Sequence, residues 1–197
     1  MTDLLAPLAH GLPHVEGTSL RLRALVAADA DAVFELYRDR EANRFGYSPE
    51  MSTPADAARL IDEISALAER RTLFHWGVAR RSDDRVIGHA TVFNVHVASR
   101  RAEIGYSIRR ADWGRGLGTE AVATLLRFAF EQSGFRRIEA DVDPRNVGSL
   151  RVLEKLGFVR EGHMRERWEL GGEIQDAIVF GLLRREFTGR PAPLRPA

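Results

Sequence analysis

Hydrophobic and polar positions alternate along this chain with two periods that succeed one another in an ordered way. Leu20-Arg-Leu-Arg-Ala-Leu25 has the period of two expected of a half-buried strand. Asp29 is placed to cap a helix from Ala30 to about Tyr37, with Val33, Leu36 and Tyr37 on its apolar face. Thr53, Pro54 and Asp56 form a second helix start, and Leu60, Ile61, Ile64 and Leu67 mark one face up to about Arg70. The segment between, Arg38 to Met51, reads as a loop. Residues 72–79 and 86–95 are rich in β-formers and flank the turn Ser82-Asp83-Asp84, which predicts an antiparallel hairpin. A third strand follows over residues 102–108.

After it, Trp113-Gly-Arg-Gly-Leu-Gly118 leads into a helix whose face is Val122, Leu125, Leu126, Ala129 and Phe130, stopped at Gly134. Phe135 to Val142 alternates again, so a strand–helix–strand crossover with parallel pairing is expected. Asn146 then caps a helix from Val147 to Leu156 that ends at Gly157. Strand character restarts at Phe158–Glu161, and Gly171-Gly172 joins a last hairpin, about Met164–Leu170 with Glu173–Leu183. The order β-α-α-β-β-β-α-β-α-β-β predicts one α/β domain with a single mixed, mostly antiparallel sheet over residues 18–187. Residues 1–17, with Pro7, Gly11, Pro13 and Gly17, read as a flexible arm, and residues 188–197 as a disordered proline-rich tail.

Bulk chemistry narrows the function classes. The 197 residues are 44% hydrophobic and 29% charged, which suits one folded domain. A net charge of +1 argues against a dedicated nucleic-acid surface or a polybasic membrane face. The absence of cysteine excludes disulfides, thiolate metal sites and cysteine nucleophiles. No apolar run approaches a membrane span and no leader pattern opens the chain, so a soluble cytoplasmic protein is expected. His10 and His14 are four apart, but Gly11 and Pro13 between them oppose a metal-binding helix, and no metal site is expected.

The glycine loop is the chemically informative stretch. Gly114, Gly116 and Gly118 leave little side-chain bulk, so backbone N–H groups can converge on one anion at the start of a helix. A Walker loop would need a lysine here, and there is none. A dinucleotide fingerprint would need glycine where Thr119 stands, and the preceding strands form a meander rather than a βαβ unit. A turn that merely needs glycine is the remaining reading of the triplet alone.

The loop resembles the acetyl-CoA loop of the GCN5-related N-acetyltransferases, whose pattern is Q/R-x-x-G-x-G/A. Trp113 departs from that pattern and is similar to the branch containing the Rim-type ribosomal-protein N-terminal acetyltransferases. Asp143-Pro-Arg-Asn-Val-Gly-Ser149 and Leu153-Glu-Lys-Leu-Gly-Phe158 resemble that branch's D-P-x-N-x-x-S and E-K-x-G-F. Leu20-Arg-Leu-Arg23 and Asp29 extend the likeness upstream, so that it spans about Gly17 to Phe187.

The resemblance implies the acyl-CoA N-acyltransferase fold, in which the two central strands splay apart. It implies acetyl-CoA as acyl donor, with Gly114, Arg115, Gly116, Gly118 and Thr119 at the pyrophosphate and Trp113 at the loop's start. Main-chain groups around Tyr106, Ile108 and Arg109 would pair with the pantetheine arm, one of them polarising the thioester carbonyl, with Asn146 and Ser149 beside it. For Arg109, Arg110 and Arg151 a solvated surface role reads equally well, and Asn146 reads equally well as a helix cap. Ser149 is implied as the acid that protonates the CoA thiolate, since the tyrosine used by other branches is replaced by Leu153.

Glu103, on the strand before the loop, is the candidate base, with an ordinary ion pair as its structural alternative. The second glutamate of Rim-type enzymes aligns with Trp168, with Glu166 and Glu169 nearby. Tyr47, Trp76, Phe93 and Trp168 are candidate walls of an acceptor pocket. The implied reaction is acetyl transfer to a primary amine, foremost a protein or peptide N-terminus, by direct attack in a ternary complex. Small-amine acetylation and a non-catalytic acyl-CoA-binding module are the alternatives. The expected partners are acetyl-CoA and the amine acceptor, with no nucleic acid directly, no membrane, and a monomeric or homodimeric state.

Overall fold

The computed structural model describes residues 4–9, 11–46 and 51–189. His10, Tyr47 and the tail beyond residue 189 lie outside them. The strands are β1 Val15–Glu16, β2 Leu20–Arg23, β3 Leu73–Arg80, β4 Val86–His96, β5 Arg101–Ile108, β6 Arg137–Val142, β7 Val159–Leu170 and β8 Glu173–Leu183. The helices are α1 Ala30–Arg38, α2 Pro54–Glu69, α3 Leu117–Arg127 and α4 Val147–Lys155. These eight strands of the described residues form one sheet in the order β1-β2-β3-β4-β5-β6-β8-β7. Every neighbouring pair is antiparallel except β5–β6, which is parallel because α3 carries the chain back between them. The two-residue β1 is an addition to the expected order.

The sheet has two covered faces. On one, Phe74, Trp76, Val92 and Ile104 pack with Leu125, Leu126 and Phe128 of α3 and its extension. That extension is a π-turn, in which the Ser133 N–H reaches back to the Phe128 carbonyl at 3.0 Å. On the other, Val33, Leu36 and Tyr37 of α1 and Ile61 and Ile64 of α2 bury against Ala79 and Val86.

The N-terminal arm departs from expectation. Leu4, Leu5, Leu8 and Val15 are buried in the α3-side core, so the described part of the arm is docked rather than loose. Trp76 anchors it. Its indole N–H donates to the Pro13 carbonyl at 3.0 Å and its ring meets Phe128 edge-on. Trp76 is wholly buried, so the chain's first tryptophan is core and no wall of an acceptor pocket.

Two helix caps differ in kind. Thr53 and Asp56 behave as read: the Asp56 carboxylate accepts from the Ser52 and Thr53 N–H groups at 2.9 and 2.7 Å. Asp29 does not cap α1 with its side chain. Its carboxylate turns back to grip the Arg23 guanidinium at 2.7 and 2.9 Å and the Val26 N–H at 2.9 Å. β7 is one continuous strand rather than two short ones, interrupted by irregularities at Arg160/Gly162 and Met164/Trp168.

Candidate active site

The central strands part company early. β5 and β6 pair only at Arg101↔Arg137, Ala102↔Ile138 and Glu103↔Glu139. Beyond this β5 keeps β4 as far as Gly88↔Ile108, and β6 keeps β8 as far as Val142↔Ile178. A wedge-shaped gap therefore opens between Ile104–Ile108 and Ala140–Val142. The Arg109 N–H bonds to Ile87 of β4 at 2.7 Å. Because main-chain groups alternate sides along a strand, those of Ile108, Tyr106 and Ile104 face the gap. The Ile108 carbonyl is taken by the Trp113 indole N–H at 2.6 Å, a bond that no sequence pattern announced.

Glu103 is the last residue of β5 paired with β6 and so stands at the apex of the wedge. It is half-buried, and burial raises its carboxyl above the ordinary range. A hydrogen bond with Asn94 works against that shift, the negative charges of Asp141 and Glu139 add to it, and Arg167 opposes it. A carboxylate lifted in this way is a better proton acceptor than an exposed glutamate.

Across the gap lies α4. Asn146 caps it, its side-chain oxygen accepting from the Ser149 N–H at 3.1 Å. The Tyr106 hydroxyl donates to the Ser149 carbonyl at 3.3 Å, bridging β5 to α4. Burial pushes the Tyr106 hydroxyl up to about 12, so it stays a donor at neutral pH.

At the wide end the chain turns through Arg110–Asp112 into the glycine loop. Gly114 and Gly116 have φ of 72° and 79°, values that side-chain-bearing residues adopt only with strain. Gly116 caps α3 without any side-chain hydrogen bond. The first helical N–H groups, from Leu117, Gly118 and Thr119, therefore have no intrahelical acceptor and sit at the positive end of the helix dipole. A methyl group at Gly118 would meet only Ile108 and Val152, both at an ordinary 3.8 Å. The fold itself does not demand glycine there.

Asp112 holds this loop together and was not singled out by sequence reasoning. It is 2% exposed, and the Arg109 guanidinium grips it at 2.7 and 2.9 Å, with Arg115 at 3.6 Å and Arg80 at 3.8 Å. Arg109 also lies 3.6 Å from Glu35. Arg109 is thus a brace of the loop rather than a solvated side chain, while Arg115 remains largely exposed.

The remaining aromatic and acidic candidates are scattered. Phe93 is the β4 partner of Glu103. Trp168 is exposed and stacks against Arg167, 4.9 Å from ring to guanidinium. Glu166 and Glu169 are exposed on β7. Arg167 bonds Asp141 at 3.1 Å, which ties this hairpin to the Glu103 environment.

A second buried group was missed because its members are far apart in sequence. Tyr37 of α1 stacks on His89, their hydroxyl and Nδ1 3.2 Å apart, and His89 lies 4.8 Å from His75 between ring centres. Burial pushes His89 down to about 4, and it pushes His75 well below the ordinary value, aided by His89. Between pH 6.5 and 4 the unfolded chain therefore binds more protons at these two positions than the folded one. Stability should be full above pH 6.5 and fall toward pH 4. His89 contributes up to roughly 3 kcal/mol of that loss. Thermal unfolding followed by circular dichroism across this window checks it: the His75→Gln, His89→Gln double variant should show a flatter profile than the parent.

Residues 19–159 match the family model described as the acetyltransferase (GNAT) domain. The Bacillus licheniformis uncharacterized N-acetyltransferase p20 is 31% identical over 170 residues, covering 86% of this chain and 96% of that protein. The Escherichia coli (strain K12) [Ribosomal protein uS5]-alanine N-acetyltransferase is 29% identical over 126 residues, 64% of this chain and 65% of that protein. Among solved structures, Mycobacterium smegmatis RimJ in complex with CoA-disulfide superposes with a TM-score of 0.81 at 24% identity, covering 89% of this chain and 90% of that one.

Proposed function

The chain belongs to the acetyltransferase (GNAT) family and is an acetyl-CoA-dependent N-acetyltransferase, and from that premise we propose that it acetylates a protein or peptide N-terminal α-amine. The observation that carries this reading is the wedge between β5 and β6, with Glu103 at its apex and Ser149 on its far rim. The named alanine acceptor of the uS5-modifying relative supports an α-amine.

The residues suit acetyl-CoA. The open N–H groups of Leu117, Gly118 and Thr119 would hold the pyrophosphate, and glycine at 118 lets the backbone come close to it. Main-chain groups of Ile104 and Tyr106 would pair with the pantetheine arm as an added strand does. The bound thioester supplies an activated acetyl group. Glu103 takes the proton from the incoming ammonium and returns the amine to its nucleophilic form. A gap-facing main-chain N–H of β5 polarises the carbonyl. As the amine nitrogen bonds to the carbonyl carbon and the C–S bond breaks, the Ser149 hydroxyl passes its proton to the departing sulfur and takes up the one shed by the attacking nitrogen, with the Tyr106 hydroxyl holding the Ser149 carbonyl in place. Asn146 fixes the turn that presents Ser149.

Ser149→Ala should lower kcat by roughly 100-fold or more while acetyl-CoA binding stays close to the parent's. Thiol release measured with acetyl-CoA and a panel of N-terminal peptides, aminoglycosides and polyamines tests both assignments. An unchanged rate rejects Ser149 as the acid, and release with small amines alone rejects the peptide acceptor.

A further inference from the structure

The arginines of this chain fall into two populations. Many grip a carboxylate: Arg23 holds Asp29, Arg80 holds Asp83, Arg101 holds Glu139, Arg137 holds Glu161 and Arg145 holds Asp143. Others grip none among the described residues: Arg71 beyond α2 and Arg151 on α4 are two, and Arg100, Arg136, Arg184 and Arg185 are four more. These four gather at one end of the sheet. Arg100 directly precedes β5, Arg136 directly precedes β6, and Arg184 directly follows β8.

Their main chains are joined in series. The Arg136 N–H donates to the Arg100 carbonyl at 2.8 Å, and the Arg184 N–H donates to the Arg136 carbonyl at 3.0 Å. Three neighbouring strands thus each deliver one arginine to a single lateral row, stepped by the interstrand spacing of about 4.8 Å. The Arg136 Nε donates to the Ser99 carbonyl at 2.6 Å, which fixes the guanidinium plane while leaving its outer nitrogens uncommitted. Arg136, Leu183, Arg184 and Arg185 line a shallow concavity of about 480 Å³. The neighbouring acid, Glu186, is turned to the backbone, accepting from the Leu183 N–H at 3.1 Å.

We propose that this row is a docking surface for the phosphodiester backbone of a nucleic acid. Guanidinium groups spaced in a line repel one another and are relieved by a polyanion whose charges are strung along a chain. Their planar forks match phosphate oxygens better than an ammonium would. The chain's exposed tryptophans, Trp113 and Trp168, lie in the glycine loop and on β7, away from the row. Contact is therefore with phosphates rather than stacked bases, and it is independent of sequence. The whole of β5, roughly 25 Å, separates the row from the glycine loop, so a strand docked here leaves the acetyl-CoA site open. The net charge of +1 conceals the row, because it sums the whole chain while the row is local.

Fluorescence anisotropy with a labelled oligouridylate and the full chain tests the surface, with an oligodeoxythymidylate in parallel. Binding should weaken with salt, with a log–log slope of about −2 if three phosphates are neutralised. The Arg136→Glu, Arg184→Glu double variant should bind at least tenfold more weakly with a shallower slope, while its acetyl transfer to a short peptide is unchanged. The milder Arg136→Gln, Arg184→Gln variant should show the same direction, and Arg136→Lys, Arg184→Lys should keep most of the binding. Unchanged affinity in the glutamine variant overturns the proposal. So does binding to polyglutamate or to phosphatidylserine vesicles that equals or exceeds binding to either oligonucleotide.

Discussion

Replacing Asp112 by alanine is expected to lower stability by about 3–5 kcal/mol, the cost of leaving buried charge without its partner. Asp112 is 2% exposed and stands among Arg109, Arg115 and Arg80. Its removal leaves Arg109, itself only 22% exposed, with Glu35 at 3.6 Å as its remaining carboxylate. For a chain of this size each kcal/mol moves the melting temperature by about 2–4 °C, so a drop of roughly 10 °C is expected by circular dichroism. Asp112→Asn, which keeps the shape and loses the charge, should fall between the two. The same carboxylate ends the turn that launches the glycine loop, so KM for acetyl-CoA should rise more than kcat falls. A variant that melts with the parent would show that the guanidinium cluster does not depend on this anion.

Asp112 also shows where sequence reading stops. The helix faces were legible because they repeat: Val122, Leu125, Leu126, Ala129 and Phe130 are all buried as their spacing predicts. The short turn Arg110–Asp112 has no period, and Arg109 read equally well as solvated surface until the fold closed it onto Asp112. Leu4, Leu5 and Leu8 are buried by joining the core on the α3 side of the sheet rather than by any local pattern, which is why the arm read as loose. Strand alternation revealed β5 and β6 but not where they separate. That depends on β4 and β8 pulling their partners apart, a non-local competition for hydrogen bonds. The family resemblance implied the separation, and the pairing ends at Glu103↔Glu139. The Tyr37–His89–His75 stack draws on three elements, and no window of sequence contains it.

The position of Glu103 at that separation sets the second large effect. Glu103→Gln should reduce kcat/KM at pH 7 by about 100-fold, within the range for loss of a general base. The variant keeps the size of the side chain and its capacity to bond Asn94, so acetyl-CoA binding should be unaltered. The pH profile gives the sharper reading. Burial, Asp141 and Glu139 raise the Glu103 carboxyl, and a base works only once its proton has left. Activity of the parent should therefore climb as pH rises through that raised value and level off once the carboxyl has lost its proton. Without Glu103 the rate must follow the fraction of acceptor already present as free amine, which reaches one half at about pH 8 for an α-amine and goes on rising above it. The acid limb of the variant should accordingly shift toward alkaline pH, and its deficit should shrink as pH rises. Two profiles of identical shape, separated by a constant factor, would instead assign proton removal to water and leave Glu103 a role in positioning the acceptor.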